Sequence, residues 1–251
     1  MNPTELRGRI KAVCPVPATA QRVIELTSSE NASIEDIAEA ISLDAGLAAE
    51  TLRLANSASA GRRVKVDTLE RAIASVGMRS LHEMATGMGM LAAFASDNEL
   101  SQGFHQRALN AGAIARFLAA DAGLGPQRSV AFLAGLLSEV GAMGLLAVDG
   151  EGYVALLREA DGDVVRRSEL EVARYGCPSR ELGAELLRSH GLPETIVDAI
   201  RGDGDDVLTH LVTYVREAAA IIADVCSEEF DAIEAGGIGD LLEAAALRAN
   251  L

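Results

Sequence analysis

The chain of 251 residues contains no tryptophan, and aromatic residues make up only 3% of it. Apolar residues still reach 49%. A core therefore has to be assembled from small aliphatic side chains packed closely, which suits helices rich in Ala, Leu and Glu. Cysteine is scarce: Cys14, Cys177 and Cys226 are odd in number, far apart and never in a CxxC pair. That excludes a disulfide framework and a structural zinc site. Lysine occurs only at Lys11 and Lys65, and the net charge is −15. Such a chain lacks the basic footprint of a phosphate-backbone binder, so no nucleic acid is expected as a partner. No apolar leader opens the chain, and no apolar run is long enough and free enough of Gly to span a bilayer. A soluble cytoplasmic protein is the expectation. There is no Gly-rich phosphate loop, nucleophile elbow or HExxH pattern. No histidine is followed by aspartate, and no strand alternation of useful length appears.

What is present is helical periodicity. Residues 1–12 read as a short polar lead-in. Pro15 and Pro17 start a helix through Leu26, because proline suits a first turn. Ser33 looks like an N-cap with Asp36 three residues on. Ile34, Ile37, Ala38 and Ile41 follow at helical spacing. Asp44 caps the next helix, LAAETLRLANSASAG, which leads into a basic loop with Arg62, Arg63 and Lys65. That loop is a solvated turn or a contact for an acidic partner. Asp67 and Glu70 open another helix that Gly77 ends, and a Met-rich helix runs from about Ser80 to Ala95.

The polar stretch Ser96–Gly103 marks the best domain boundary. Beyond it, helices are expected at Phe104–Ala122, Gly150–Ala160, Ser168–Tyr175, Pro178–Ser189, Pro193–Ile200 and Val207–Cys226. A Gly-rich link then leads to a last amphipathic helix, Leu241–Ala249. The fold class is all-α, with two packed helical subdomains, 13–96 and 104–226, and a Gly-linked extension over 227–251. Residues 1–100 carry 13 acids and 10 bases, whereas residues 101–251 carry 24 and 12. The second part is thus the acidic one, with a mostly solvated face.

Phe132–Leu146, FLAGLLSEVGAMGLL, is the most apolar stretch and reads as the central core helix of its domain. Ser138-Glu139 sits in its middle, and a carboxylate there is expensive unless a cation or several donors answer it.

Two separate stretches resemble the HDOD domain, the HD-related output domain of bacterial signalling proteins. One contains Leu54-Ala55-Asn56-Ser57-Ala58 and the run Ala72-Ile73, Gly77, Leu81. The other contains the core run together with Gly183, Leu192-Pro193-Glu194 and Ala199-Ile200. The resemblance covers about 13–226. It implies that the second subdomain is an HD-phosphohydrolase-like bundle. It also places the ligand positions of metal-binding HD relatives at Arg107, Ser138, Glu139, Ser179 and, loosely, Arg216. None of these is His or Asp. Arginine repels a cation and serine ligates poorly, while phosphohydrolysis of this type needs a cation to make hydroxide at neutral pH. His105 does not substitute, because two residues from Arg107 on a helix is nearly the opposite face. No catalytic residue, metal or cofactor is therefore expected. Arg107 or Arg216, or both, should pair with Glu139 where the cation would sit, unless Glu139 simply faces solvent.

The resemblance implies a non-catalytic signal-transduction output or scaffold module that binds other signalling proteins. The alternatives are a sensor that holds a nucleotide second messenger in the vacated pocket through Arg107 and Arg216, and a residual metal-dependent phosphohydrolase.

Overall fold

The computed structural model describes residues 3–13, 15–58, 65–96, 99–124 and 127–223. Among them every regular element is an α-helix and no strand occurs. By contacts the chain falls into two units. Pro15–Ala93 forms one, and the described residues on both sides of it form the other.

The first unit holds α2 (Ala18–Ser28), α3 (Ile34–Ser42), α4 (Ala45–Ala58), α5 (Leu69–Val76) and α6 (Met78–Ala93). Its starts are set by caps that the sequence announces. Ser33 Oγ accepts from the Asp36 N–H at 3.1 Å while Asp36 accepts from the Ser33 N–H at 3.0 Å, a reciprocal capping box. The apolar positions of α3 converge inward, with Ile37 and Ile41 fully buried. Met84 and Met90 of α6 are core filler. The Asn56 amide donates to the Val66 carbonyl at 2.9 Å and accepts from the Val66 N–H at 2.8 Å. One side chain thereby satisfies both backbone groups of a buried residue ten positions on, and pins the chain back against α4. Arg62 and Arg63 lie outside the described residues; Lys65 is exposed.

The second unit is built from α7 (Glu99–Asp121), α8 (Arg128–Leu136), α9 (Val140–Val148), α10 (Gly150–Ala160), α11 (Val164–Tyr175), α12 (Ser179–Ser189), α13 (Glu194–Arg201) and α14 (Val207–Ala223). It also takes in α1 (Pro3–Ala12). Here the sequence reading of a polar lead-in is corrected. Leu6 and Ile10, one helical turn apart, are 0% and 3% exposed, and Ile10 packs against Gly144 of α9. Two buried residues in ten make a weak amphipathic signal, which a polar composition hides. The helix expected from Phe104 begins earlier, at Glu99. Cys226 and the predicted Leu241–Ala249 helix lie outside the described residues.

The apolar run Phe132–Leu146 is the centre of this unit, but it is two helices. A turn at residues 137–139 separates α8 from α9, with Leu137 and Glu139 near φ −100° and ψ 0°. Arg128–Val148 spans 21 residues with a mean hydropathy of 1.9, long and apolar enough by composition alone to cross a bilayer, contrary to the sequence estimate. Its most apolar 18-residue window is 83% buried inside the protein. Glycines let neighbours close in on it. A Cβ on Gly135 would stand 2.8 Å from the Ala111 carbonyl carbon of α7. One on Gly141 would overlap the Ser179 carbonyl oxygen and stand 2.7 Å from the Gly183 nitrogen of α12. The α9–α12 crossing is thus a backbone-to-backbone contact that only glycine permits.

Candidate functional site

The break between α8 and α9 is what places the site. Ser138 and Glu139 leave the apolar run at the turn, and the Gly141 crossing brings the N-terminus of α12 beside them. The five positions Arg107, Ser138, Glu139, Ser179 and Arg216 line one cavity of about 250 Å³. Val164, Arg167, Ser168 and Glu171 of α11 and Arg180 of α12 complete much of its wall.

Glu139 is buried, 6% exposed, so the solvent-facing alternative is excluded. To the expected charges of Arg107 and Arg216 the structure adds a partner that the sequence reading did not name, Arg167. Arg167 Nη2 donates to Glu139 Oε2 at 2.9 Å and to Ser179 Oγ at 3.1 Å. Its Nε donates to Glu171 Oε1 at 2.9 Å. Glu171 is itself saturated: Tyr153 Oη donates to it at 2.6 Å and the Ser179 N–H at 2.7 Å. One guanidinium thus bridges two buried carboxylates in the fork geometry arginine provides.

The electrostatics follow from this packing. Burial raises the Glu139 carboxyl, but the charges of Arg167, Arg216 and Arg107 outweigh it and hold the group below its usual range. Arg107 and Arg216 thus act on Glu139 as nearby charges, with Arg107 also 4.2 Å over the Phe104 ring. Burial works to discharge Arg167, and the carboxylates beside it reverse that and keep it firmly protonated. Burial, opposed by Arg167 and aided by Glu171, pushes the Tyr153 phenol well above 10. Cys177 is buried, and burial raises its thiol above the ordinary range.

A divalent cation does not fit this set. Among the described residues no group of three or more His, Cys, Asp or Glu could hold a metal ion. The two carboxylates are occupied by Arg167, and three further arginines stand around the cavity. What the arrangement can do is present cationic N–H donors to an anion or to a partner's acidic group.

Arg167, Glu171 and Arg180 are the residues that sequence reasoning missed. The helix expected from Ser168 in fact starts at Val164, capped by Asp163, whose Oδ1 accepts from the Val165 and Arg166 N–H groups. Reading Asp163 as that cap would have placed Arg167 and Glu171 four apart on one helical face.

Comparison with known proteins now adds to this geometry. A family model described as HDOD domain matches residues 13–204. Similar solved structures include a protein provisionally named a phosphohydrolase from Shewanella amazonensis SB2B, with TM-score 0.63 and 22% identity over 96% of this chain and 93% of that one. An HDOD domain protein with unknown function from Geobacter sulfurreducens has TM-score 0.58 and 18% identity, covering 92% of each chain. A protein provisionally named for signal transduction, from Marinobacter aquaeolei VT8, has TM-score 0.56 and 26% identity over 81% of this chain and 48% of that one. Comparison with curated protein sequences finds no match.

Proposed function

Since the chain belongs to the HDOD domain family, we propose that it is a non-catalytic, cytoplasmic signal-transduction output or scaffold module that acts by binding another signalling protein. The observation that carries this reading is the bridge from Arg167 to Glu139 and Glu171. It puts a fixed positive charge where a hydrolase of this fold would need carboxylates free to hold a cation. Arg107 and Arg216 in the same wall oppose a cation further. The signal-transduction naming of the Marinobacter aquaeolei relative supports the same direction.

Two measurements test it. Purified chain is incubated with Mg²⁺, Mn²⁺ or Ni²⁺ and generic phosphate mono- and diesters; turnover no greater than in a protein-free blank is expected, and sustained turnover ends the reading. The chain is then used as bait in its own cells. A recovered signalling protein that also binds the purified chain one to one supports the scaffold role. The absence of any such protein, with the bait intact, counts against it.

A further inference from the structure

We propose that the α7–α11–α12–α14 cavity is a binding site for a small phosphate-bearing anion, an assignment that goes beyond the scaffold reading. Four arginines, Arg107, Arg167, Arg180 and Arg216, line it against two carboxylates, Glu139 and Glu171. The lining is therefore net positive in a chain whose total charge is −15. A concentrated positive pocket in an acidic molecule is a local feature that the overall charge does not explain.

The geometry orders these charges. Arg167 is largely enclosed, 18% exposed, and is engaged by both carboxylates. It fixes the floor and offsets half of their charge, the other arginines of the wall supplying the rest. Arg180 is held in place by neutral acceptors: its Nε donates to the Arg201 carbonyl at 2.9 Å and its Nη1 to Ser168 Oγ at 3.1 Å. The guanidinium of Arg107 is fixed over the Phe104 ring. Planar guanidiniums held by stacking and by carbonyls are pre-organised donors, which match tetrahedral oxyanions better than a flexible ammonium does. The first turn of α12, an 11-residue helix whose Ser179 N–H is already taken by Glu171, also faces the cavity through Pro178, Ser179 and Arg180. Its N-terminal partial charge has the same sign as the arginines.

Size narrows the ligand. About 250 Å³ lies below the roughly 300–1,000 Å³ of pockets that enclose drug-sized molecules. Inorganic phosphate, or the phosphate of a small monoester with part of its organic group, suits that space.

The test is calorimetric titration of the full chain at fixed ionic strength with inorganic phosphate in one arm and a nucleoside 5′-monophosphate in the other, with chloride as control. Saturable binding of one anion per chain is expected in at least one arm, and none with chloride. Arg107→Gln and Arg216→Gln should each weaken it by about tenfold or more, and Arg158→Gln, on the exposed face of α10, should leave it unchanged. Arg180→Gln is the further variant if one of these melts early. A tighter monoester than phosphate assigns the organic group a place in the cavity; equal affinity assigns the phosphate alone. No saturation in either arm, or binding that survives the cavity variants, overturns the site. Product release from the monoester would instead strike the non-catalytic reading and leave the binding result standing, so the two failures are distinguishable.

Discussion

Among the described residues each unit buries two carboxylates, and it neutralises them in opposite ways. In Pro15–Ala93, Glu50 and Glu83 are 5% and 9% exposed. Each is met by an arginine of its own helix, Arg53 three residues on and Arg79 four residues before. Those arginines reach in from the surface, 44% and 84% exposed. In the other unit, Glu139 and Glu171 share Arg167, which is itself largely enclosed and reaches Glu139 from 28 positions away. The first arrangement is local and solvent-screened. The second is a tertiary network in the wall of a cavity. Local pairs of the first kind are worth little, because solvent answers a charge whose partner is removed. In the buried network, removing Arg167 leaves Glu139 to the charges of Arg216 and Arg107 and Glu171 to the Tyr153 and Ser179 donors, with no ion pair of its own for either.

The sharpest way to break the contrast is Arg167→Met. It strands two buried carboxylates at once, and a loss of about 3–5 kcal/mol is expected in chemical denaturation. Arg79→Met should cost less than about 1 kcal/mol. Equal effects of the two substitutions would show that Arg167 is better solvated than its position suggests, and the distinction between the units would collapse.

The next effect tests how the network is positioned. Gly141→Ala drives a Cβ into the backbone of α12 at Ser179 and Gly183. Separating that crossing should cost about 1–3 kcal/mol and weaken the Arg167 bonds to Glu139 and Ser179, which lie on opposite sides of it. Gly8→Ala on α1 meets nothing within 4 Å and should stabilise by up to about 1 kcal/mol through helix propensity alone. Thermal melts of the two variants should move in opposite directions.

This pair of glycines also marks how far the sequence can be read. The fold class, the capping box at Ser33 and the inward face of α3 depend on residues within four positions of one another, and such patterns are visible in a string. The gathering of Arg107, Ser138, Glu139, Ser179 and Arg216 was legible only through the resemblance to a family with a pocket there. Their true organiser was not. Arg167 sits in an Arg-Arg-Ser-Glu run, and its spacing from Glu171 shows a helical pair but not that it is enclosed, whereas Arg166 pairs with Glu159 at the surface. The difference is made by the turn at 137–139 and the α9–α12 crossing, which are tertiary facts. The helix α1 was missed for a related reason: two buried residues suffice once a neighbour covers them, and the neighbour lies more than 130 residues away.

Acid should distinguish the units next. The Glu139 carboxyl is depressed in the folded protein, so it contributes stability above its unfolded value of about 4.3. That contribution is lost as pH falls through the lower folded value. Glu139→Gln should therefore flatten the acid limb of stability against pH, since the proton is no longer taken up on unfolding. An unaltered acid limb would mean that other carboxylates dominate it.

The smallest effect at neutral pH has the clearest alkaline signature. Tyr175 donates to Asp149 Oδ2 at 2.9 Å, beside Arg174, at the edge of the same unit. Burial, reinforced by the Asp149 carboxylate, pushes its phenol up to about 12. The folded state then holds this proton more tightly than the unfolded chain, whose tyrosine titrates near 10. The stability it contributes is complete below about 10 and disappears as pH rises towards about 12. Absorbance of ionised tyrosine during alkaline titration should show Tyr175 ionising near 12, or abruptly earlier if the protein unfolds first. In Tyr175→Phe that signal should vanish, and the melting temperature at neutral pH should fall modestly as the hydrogen bond to Asp149 is lost. Ionisation of Tyr175 near 10 in protein that is still folded would mean that Asp149 and Arg174 are open to water, and that the enclosed character of this unit stops at the Arg167 network.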